Sequence, residues 1–424
     1  MSHDVVNRDL VQAGAQRIDS VERNMPALRR VRERFAVERP LEELRIAVCM
    51  PVTAETANAL RTLHAGGAEL ALASSNPLLT QEDTAAALVE EYGVAMNAWA
   101  GPDAMSYEHN LTTVLDSDPH LLLDDGCDLV NIVHLERPEL LDTIVGGCEQ
   151  TTAGVTRLRG MCTEGILKLP MVAVSESYTK QMMDNRFGTG QSTVDGIMRA
   201  TGSMLAGCVV VVAGFGMCGR GLAERFRGMG TRVVVTEVDP ARALDAVLQG
   251  YTVLPMAEAA AIGDVFVTVT GNRDVIRAEH IARMKNGAVL ANSGHFDVEI
   301  HSGVLADLSV EVNFGVCPQT DEYVLDNGRR VFLLSEGYLV NLGAGEGNPP
   351  EVMDMSLSVK ALTVEWLAQH HADMSPCVLD VPATIDAEAA RLELATLDVG
   401  IDHLTPDQKE YLHPGTASRF PSFH

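Results

Sequence analysis

A chain of 424 residues is long enough for two domains with separate cores, and its 46 % hydrophobic and 21 % charged content is ordinary for a globular protein. The 32 basic residues against 58 acidic ones give a formal charge of −26, which repels phosphate backbones and anionic lipid, so nucleic acid and membrane surfaces are excluded as expected partners. Eight scattered cysteines without a CxxC pair, an N-terminus (MSHDVVNRDLVQ) with no leader pattern, and apolar runs far short of the roughly 20 residues that span a bilayer make the cytoplasm the expected location.

In chain order, residues 5–44 read as charged helical sequence around a sparse apolar stripe. From Arg45 the pattern becomes α/β: RIAVCM is a strand, Glu55–Ala65 a helix, ELALAS a strand, Gln81–Tyr92 a helix and HLLLD a strand. Met171–Ser175 is a further strand, followed by the polar stretch SESYTKQMMDNRFGTGQS. A second series then begins, with CVVVVA, RVVVTE, VFVTV and AVLAN separated by helical segments, and a helix over about 353–370 follows. Short apolar strands alternating with amphipathic helices predict parallel sheets covered on both faces. The expected fold is α/β with two domains. One is a discontinuous substrate-binding domain, 1–190 completed by 347–372; the other is a Rossmann-type doubly wound domain, 191–346. A polar tail, 373–424, completes the chain. Crossing between the domains near 190 and 346 leaves a cleft for a ligand.

Gly214, Gly216 and Gly219 form a GxGxxG directly after CVVVVA and before the helical GLAERFRGMG, and the next strand ends in Glu237. Glycines allow a tight turn and close approach of a pyrophosphate to a helix N-terminus, whose free N–H groups favour anions. An acid about 20 residues on accepts from ribose hydroxyls and repels a 2′-phosphate, so the expected cofactor is NAD rather than NADP. Neither HExxH nor a close Cys/His cluster is present, and no metal is expected.

The segments SYTKQMMDNRFGTGQS, VVAGFGMCGRG, TEVDP, NSGHFDVEI and EGYLVNLGAGEG resemble S-adenosylhomocysteine hydrolase (adenosylhomocysteinase) over almost the whole chain. GTGQS and EYLHPGT are similar to the shorter bacterial and archaeal branch. The resemblance implies a tightly bound, recycled NAD and an adenine nucleoside substrate. The 3′-hydroxyl is oxidised, the C4′ proton is removed, the 5′ group is expelled, water is added and the ketone is reduced. It also implies a homo-oligomer, dimer or tetramer.

Lys180 and Asp184 lie four apart, on one face if helical. By resemblance Lys180 takes the 3′-hydroxyl proton, Asp184 holds that lysine, Asp125 works near C4′ and C5′, and His295 sits beside the 5′ leaving group. Asn185, Thr151, Thr152, Thr270 and Asn341 match contacts to NAD. Thr53, Glu55 and Met353 match the adenine side. Each also has a plain structural reading, such as a surface ion pair for Lys180 and Asp184 or a turn cap for Asp125.

The chain departs from the family pattern at five positions. Pro51 replaces a histidine, Gln150 a glutamate that binds ribose hydroxyls, Asn348 a histidine at the adenine side, Tyr338 an arginine and Arg242 an asparagine. The first four are expected on the substrate side, while the redox residues remain. The first expected function is therefore an NAD-dependent nucleoside dehydratase, releasing a 4′,5′-unsaturated product as in angustmycin-like antibiotic biosynthesis. The alternative is S-adenosylhomocysteine hydrolysis to adenosine and homocysteine, and a third is an inactive NAD-binding regulator.

Overall fold

The computed structural model describes residues 10–75, 80–96 and 104–412. Its strands are β1 (Arg45–Met50), β2 (Glu69–Ser74), β3 (Ala95–Met96), β4 (Leu121–Asp124), β5 (Gly146–Glu149), β6 (Met171–Ala173), β7 (Val209–Ala213) and β8 (Arg232–Thr236). They continue with β9 (Thr252–Val253), β10 (Val265–Thr268), β11 (Ala288–Asn292), β12 (Ser309–Cys317), β13 (Thr320–Leu325), β14 (Arg330–Leu334) and β15 (Val378–Asp380).

These strands make two sheets, ordered β15-β6-β5-β4-β1-β2-β3 and β12-β13-β14-β11-β10-β7-β8-β9. Strand residues alternate between faces. Ile46 and Val48 pack into one core while Ala47 and Cys49 pack into another, and Val210 and Val212 are separated from Val209 and Val211 in the same way. Both faces of each sheet are therefore covered, which is what continuous apolar strands require. Burying each valine contributes about 1.5–3 kcal/mol. β12 and β13 run antiparallel beside β14 at one edge.

The two sheets share one winding. Along the first, β3-β2-β1-β4-β5-β6 are neighbours in that order; along the second, β9-β8-β7-β10-β11-β14 are. Each reverses direction once, between β1 and β4 and between β7 and β10, and such reversals open a crevice at the carboxyl ends of the strands.

Sequence pattern missed β5, whose residues are Gly-Gly-Cys-Glu, although it is an interior strand. Its glycines serve packing: a Cβ on Gly147 would lie 2.6 Å from the Leu122 carbonyl oxygen. The stretch expected to be a polar tail carries β15, which pairs with β6, and the helix Ala383–Thr396. From that helix Asp386 accepts from Ser177 Oγ (2.7 Å) and from the Tyr178 backbone N–H (3.0 Å), at the start of the segment that bears Lys180. Residues 413–424, including most of the EYLHPGT motif, lie outside the described residues. Among the described residues no helix is long and apolar enough to cross a membrane.

Helix Pro350–His370 follows the second sheet in sequence but packs against the first, and it is buried on nearly all sides. Its Asp354 accepts from the backbone N–H groups of Ala27 (2.8 Å) and Leu28 (2.7 Å), satisfying the buried start of helix Pro26–Glu38, whose first N–H groups have no partner within the helix.

Candidate active site

A cavity of about 1120 Å³ opens where the carboxyl ends of both sheets meet. The first sheet delivers Met50 and Pro51 after β1, Asp125 after β4 and Gln150, Thr151 and Thr152 after β5. The second delivers Gly214 and Gly216 after β7, Glu237 after β8, Thr270 after β10 and His295 after β11. Lys180, Asp184, Asn185, Asn341, Asn348, Met353, Thr53 and Glu55 complete the lining among the residues singled out above. Gly219 lies one turn into the following helix and not on the wall.

The glycine turn after β7 is closed tightly. Gly214 has φ +105°, and a Cβ on Gly219 would lie 2.0 Å from the Gly214 carbonyl oxygen. Gly216, by contrast, faces open space on the cavity side, with only Arg242 near. The Glu237 carboxylate accepts from the backbone N–H groups of Phe215 (2.7 Å), Val238 (2.7 Å) and Asp239 (3.0 Å), which ties the turn to the end of β8. A carboxylate has about four acceptor positions, so one is left for a ribose hydroxyl. Asn341 donates to Ser192 Oγ at 3.1 Å, while its own Oδ1 is buried without a partner on the cavity wall. An unpaired buried acceptor in the same cavity as an open glycine turn suits a dinucleotide whose carboxamide brings N–H donors. The residues present fit NAD.

Thr151, Thr152 and Thr270 line the cavity with hydroxyls that already have protein partners. Thr151 Oγ1 donates to Glu149 and accepts from the Gly154 N–H, Thr152 Oγ1 lies 3.1 Å from Ser175 Oγ, and Thr270 Oγ1 donates to Glu299 at 2.7 Å.

Lys180 and Asp184 are not a surface pair. Both are buried, and Lys180 Nζ lies 3.3 Å from Asp184 Oδ2 and donates to Asn185 Oδ1 at 2.7 Å. The residues Gln181–Gly188 wind as a π-helix between two α-helical stretches, a local widening common at functional sites. Asp184 also accepts from Asn348 Nδ2 (2.7 Å) and Ser356 Oγ (3.0 Å), so its charge is shared among three donors. Ser356 in turn accepts from Gln150 Nε2 at 2.7 Å, which leaves Gln150 Oε1 buried and unpaired. Asn348 accepts from Ser192 Oγ at 2.8 Å. One network thus runs from Asn341 through Ser192, Asn348, Asp184 and Ser356 to Gln150. Ser356 is marked by no sequence motif, and Ser192, which ends the GTGQS stretch, was not singled out within it.

On the far wall, the His295 ring hydrogen-bonds the Asp125 backbone and crosses Phe296 edge-on at 4.6 Å between centroids. Burial holds the imidazole below its ordinary range, with Arg157 acting the same way and Asp125 and Asp128 opposing. Glu55, in the first turn of helix Ala54–Ala65, is pushed upward by burial, and Thr53 caps that helix through the Thr56 N–H. Of the departures expected on the substrate side, Pro51, Gln150 and Asn348 do line the cavity. Tyr338 does not: it sits outside, with its hydroxyl on Asp297. Among the described residues no three His, Cys, Asp or Glu side chains are placed to hold a metal ion.

Sequence reasoning also missed Lys360, a lysine in the middle of the apolar helix Pro350–His370. Only 2 % of it is exposed, and its Nζ lies 3.2 Å from Asp125 Oδ1 and 3.0 Å from Met50 Sδ. The available signal was a single cation within the otherwise apolar run SLSVKALTV.

Residues 185–347 match the family model described as S-adenosyl-L-homocysteine hydrolase, NAD binding domain, and residues 2–139 match the model described as S-adenosyl-L-homocysteine hydrolase. The chain is 51 % identical over 412 residues to the adenosylhomocysteinase of Aquifex aeolicus, covering 97 % of this chain and 98 % of that one. It is 48 % identical over 403 residues to the S-inosyl-L-homocysteine hydrolase of Methanopyrus kandleri, covering 95 % of each. Among solved structures, a dipicolinate synthase component from Bacillus halodurans shares the fold at 13 % identity, with a TM-score of 0.50 over 78 % of this chain and 99 % of that one.

Proposed function

The chain belongs to the S-adenosylhomocysteine hydrolase family and is an NAD-dependent enzyme; on that premise we propose that it cleaves the 5′ thioether of S-adenosylhomocysteine, giving adenosine and homocysteine. The observation that carries this reading is the buried Lys180–Asp184–Asn185 cluster, set in one cavity with the glycine turn and with His295.

Bound NAD supplies the two-electron oxidation at C3′ and its reversal at the end of the cycle. Lys180 Nζ accepts the 3′-hydroxyl proton, and Asp184 and Asn185 fix where that nitrogen points. The 3′-ketone acidifies C4′, and the Asp125 carboxylate takes that proton while the C–H electron pair forms the enolate. Collapse of the enolate breaks the C5′–S bond, and the half-buried His295 stands where the departing sulfur needs a proton. Water then adds at C5′ and gives a proton back to His295, the proton held on Asp125 returns to C4′, and the ketone is reduced. The buried Gln150 Oε1 takes a hydrogen bond from a sugar hydroxyl, and Glu55 with Met353 meets the purine. The identity of the purine is open to tuning at this end, since one relative is named for an inosyl substrate.

A second reading, dehydration of an adenine nucleoside whose 5′ group is a hydroxyl, is favoured by Pro51. Its ring lines the cavity beside Asp125 and moves no proton, so an alkene formed there is left without one partner for rehydration. Purified holoenzyme incubated with S-adenosylhomocysteine, with adenosine and with a nucleoside carrying an extra hydroxymethyl on the anomeric carbon decides between them. Homocysteine release from the first supports hydrolysis. A product lighter by one water from the others, with no homocysteine released from the first, replaces it by dehydration.

We also read the protein as a homo-oligomer. Strand β12 leaves Val310 and Phe314, 70 % and 77 % exposed, at the sheet edge, apolar surface of the kind that a second copy covers. Light scattering tests this.

A further inference from the structure

Lys180 and Lys360 are the two buried lysines among the described residues, and the cycle above uses only the first. Holding an ammonium group out of water is costly unless it is paired. Lys360 extends from the centre of helix Pro350–His370 towards the carboxyl end of β4, where its Nζ reaches Asp125 Oδ1 at 3.2 Å. Asp125 is itself 5 % exposed, yet it lines the cavity, while Lys360 stays behind the wall.

The surroundings of Asp125 are strongly acidic. Asp124 precedes it and accepts from the Val130 N–H; Glu149, on neighbouring β5, accepts from the N–H groups of Gly126, Cys127 and Thr151; Asp128 pairs with Arg157 at 3.0 Å. The neutral-leaning His295 and the thiols of Cys49 and Cys148 face the same region, and burial pushes both thiols upward. Among these groups, Lys360 is the cation in direct contact with Asp125.

We propose that Lys360 is a positioning residue for the elimination half of the cycle: through its direct contact with Asp125 it holds that carboxylate in place among its acidic neighbours and aims it at C4′. The proposal rests on the reading of Asp125 as the group that takes the C4′ proton. It divides the two lysines by step, Lys180 serving C3′ oxidation and Lys360 serving C4′ deprotonation through Asp125.

The test uses holoenzyme, adenosine as probe and two readouts. One is the absorbance of reduced nicotinamide, which follows C3′ oxidation; the other is incorporation of deuterium from heavy water at C4′, followed by NMR. In Lys360→Gln, reduction stays within about threefold of wild type, whereas exchange at C4′ slows by about 10²-fold, the lower range for loss of a proton-transfer group. Lys360→Arg keeps the charge and recovers most of the exchange. Exchange in Lys360→Gln at the wild-type rate overturns the proposal. So does equal loss of reduction and exchange in both variants, which marks Lys360 as structural. Wild-type holoenzyme that shows no nicotinamide reduction with adenosine or S-adenosylhomocysteine sinks the functional reading itself, a result distinct from either.

Discussion

The two sheets follow the same winding and open their crevices into the same cavity, but they furnish those crevices with opposite chemistry. At the β7–β10 reversal the wall is backbone: glycines, free N–H groups and one carboxylate that binds three of them. At the β1–β4 reversal it is side chain: a proline that offers no hydrogen, an aspartate and a lysine buried behind it. Topology fixes where a ligand lies, and the residues at the turn fix what it is. The backbone crevice suits a common diphosphate, whereas the side-chain crevice is free to change with the substrate. Between them, the network from Asn341 to Gln150 passes through Asp184, so the redox pair touches both.

That shared position makes Lys180 the site of the largest expected effect. Lys180→Ala should lower the rate of nicotinamide reduction after nucleoside addition by about 10²–10⁴-fold, the range for loss of a general base, while dinucleotide stays bound. Stopped-flow absorbance measures the first and assay of the NAD released on denaturing the protein measures the second. Reduction at the wild-type rate would remove Lys180 from the oxidation step and assign the base to another group.

Next comes the backbone crevice. In Glu237→Ala the N–H groups of Phe215, Val238 and Asp239 lose a charged acceptor, and one such bond is worth about 1.5–3 kcal/mol. Affinity of the stripped protein for NAD should fall about tenfold to a hundredfold by calorimetric titration, with the Michaelis constant for nucleoside little changed once NAD saturates. Gln150→Leu should do the reverse. It removes the unpaired acceptor of the side-chain crevice, so the Michaelis constant for the nucleoside should rise about fivefold to tenfold, corresponding to one neutral hydrogen bond, at unchanged NAD affinity. If both variants alter both constants equally, the cavity is not divided as described.

The backbone crevice was far more legible from sequence than the side-chain one. Its signal is local: strand, glycines, helix and an acid after the next strand sit within Val209–Glu237, and local spacing survives without knowledge of the fold. Asp125 and Lys360 are 235 positions apart and meet only because helix Pro350–His370 returns to the first sheet. Gln150 was visible as a departure from pattern, but its link through Ser356 to Asp184 joins three distant segments. β5 escaped because its glycines answer to packing against Leu122 and carry no hydrophobic period. β12, β13 and β15 were not read as strands either. The tail's role in capping the Lys180 segment through Asp386 is likewise a contact between residues 208 positions apart.

The smallest expected effect concerns the rim where the two crevices meet. His295 belongs to the second sheet but faces Asp125 of the first, and it is shielded by the Phe296 ring, over which Arg157 lies at 4.3 Å. Burial disfavours the imidazolium, so the neutral ring persists to lower pH than an ordinary histidine, whose midpoint is about 6.5. A step that needs the neutral ring therefore holds its rate as pH falls through that value and declines only below it. Phe296→Ala admits water and loosens Arg157, both of which ease protonation, so the acid limb of water addition at C5′, where the neutral ring takes a proton and which is read from heavy-oxygen incorporation, should move up towards about pH 6.5. The rate near pH 6 should drop about twofold to threefold, while the rate near pH 8, where the ring is neutral in either protein, should not change. Phe296→Leu keeps most of the shielding and should leave the limb nearly in place. A limb unmoved by Phe296→Ala would mean that the acid side of the profile does not report His295, and the rim would then belong wholly to the side-chain crevice.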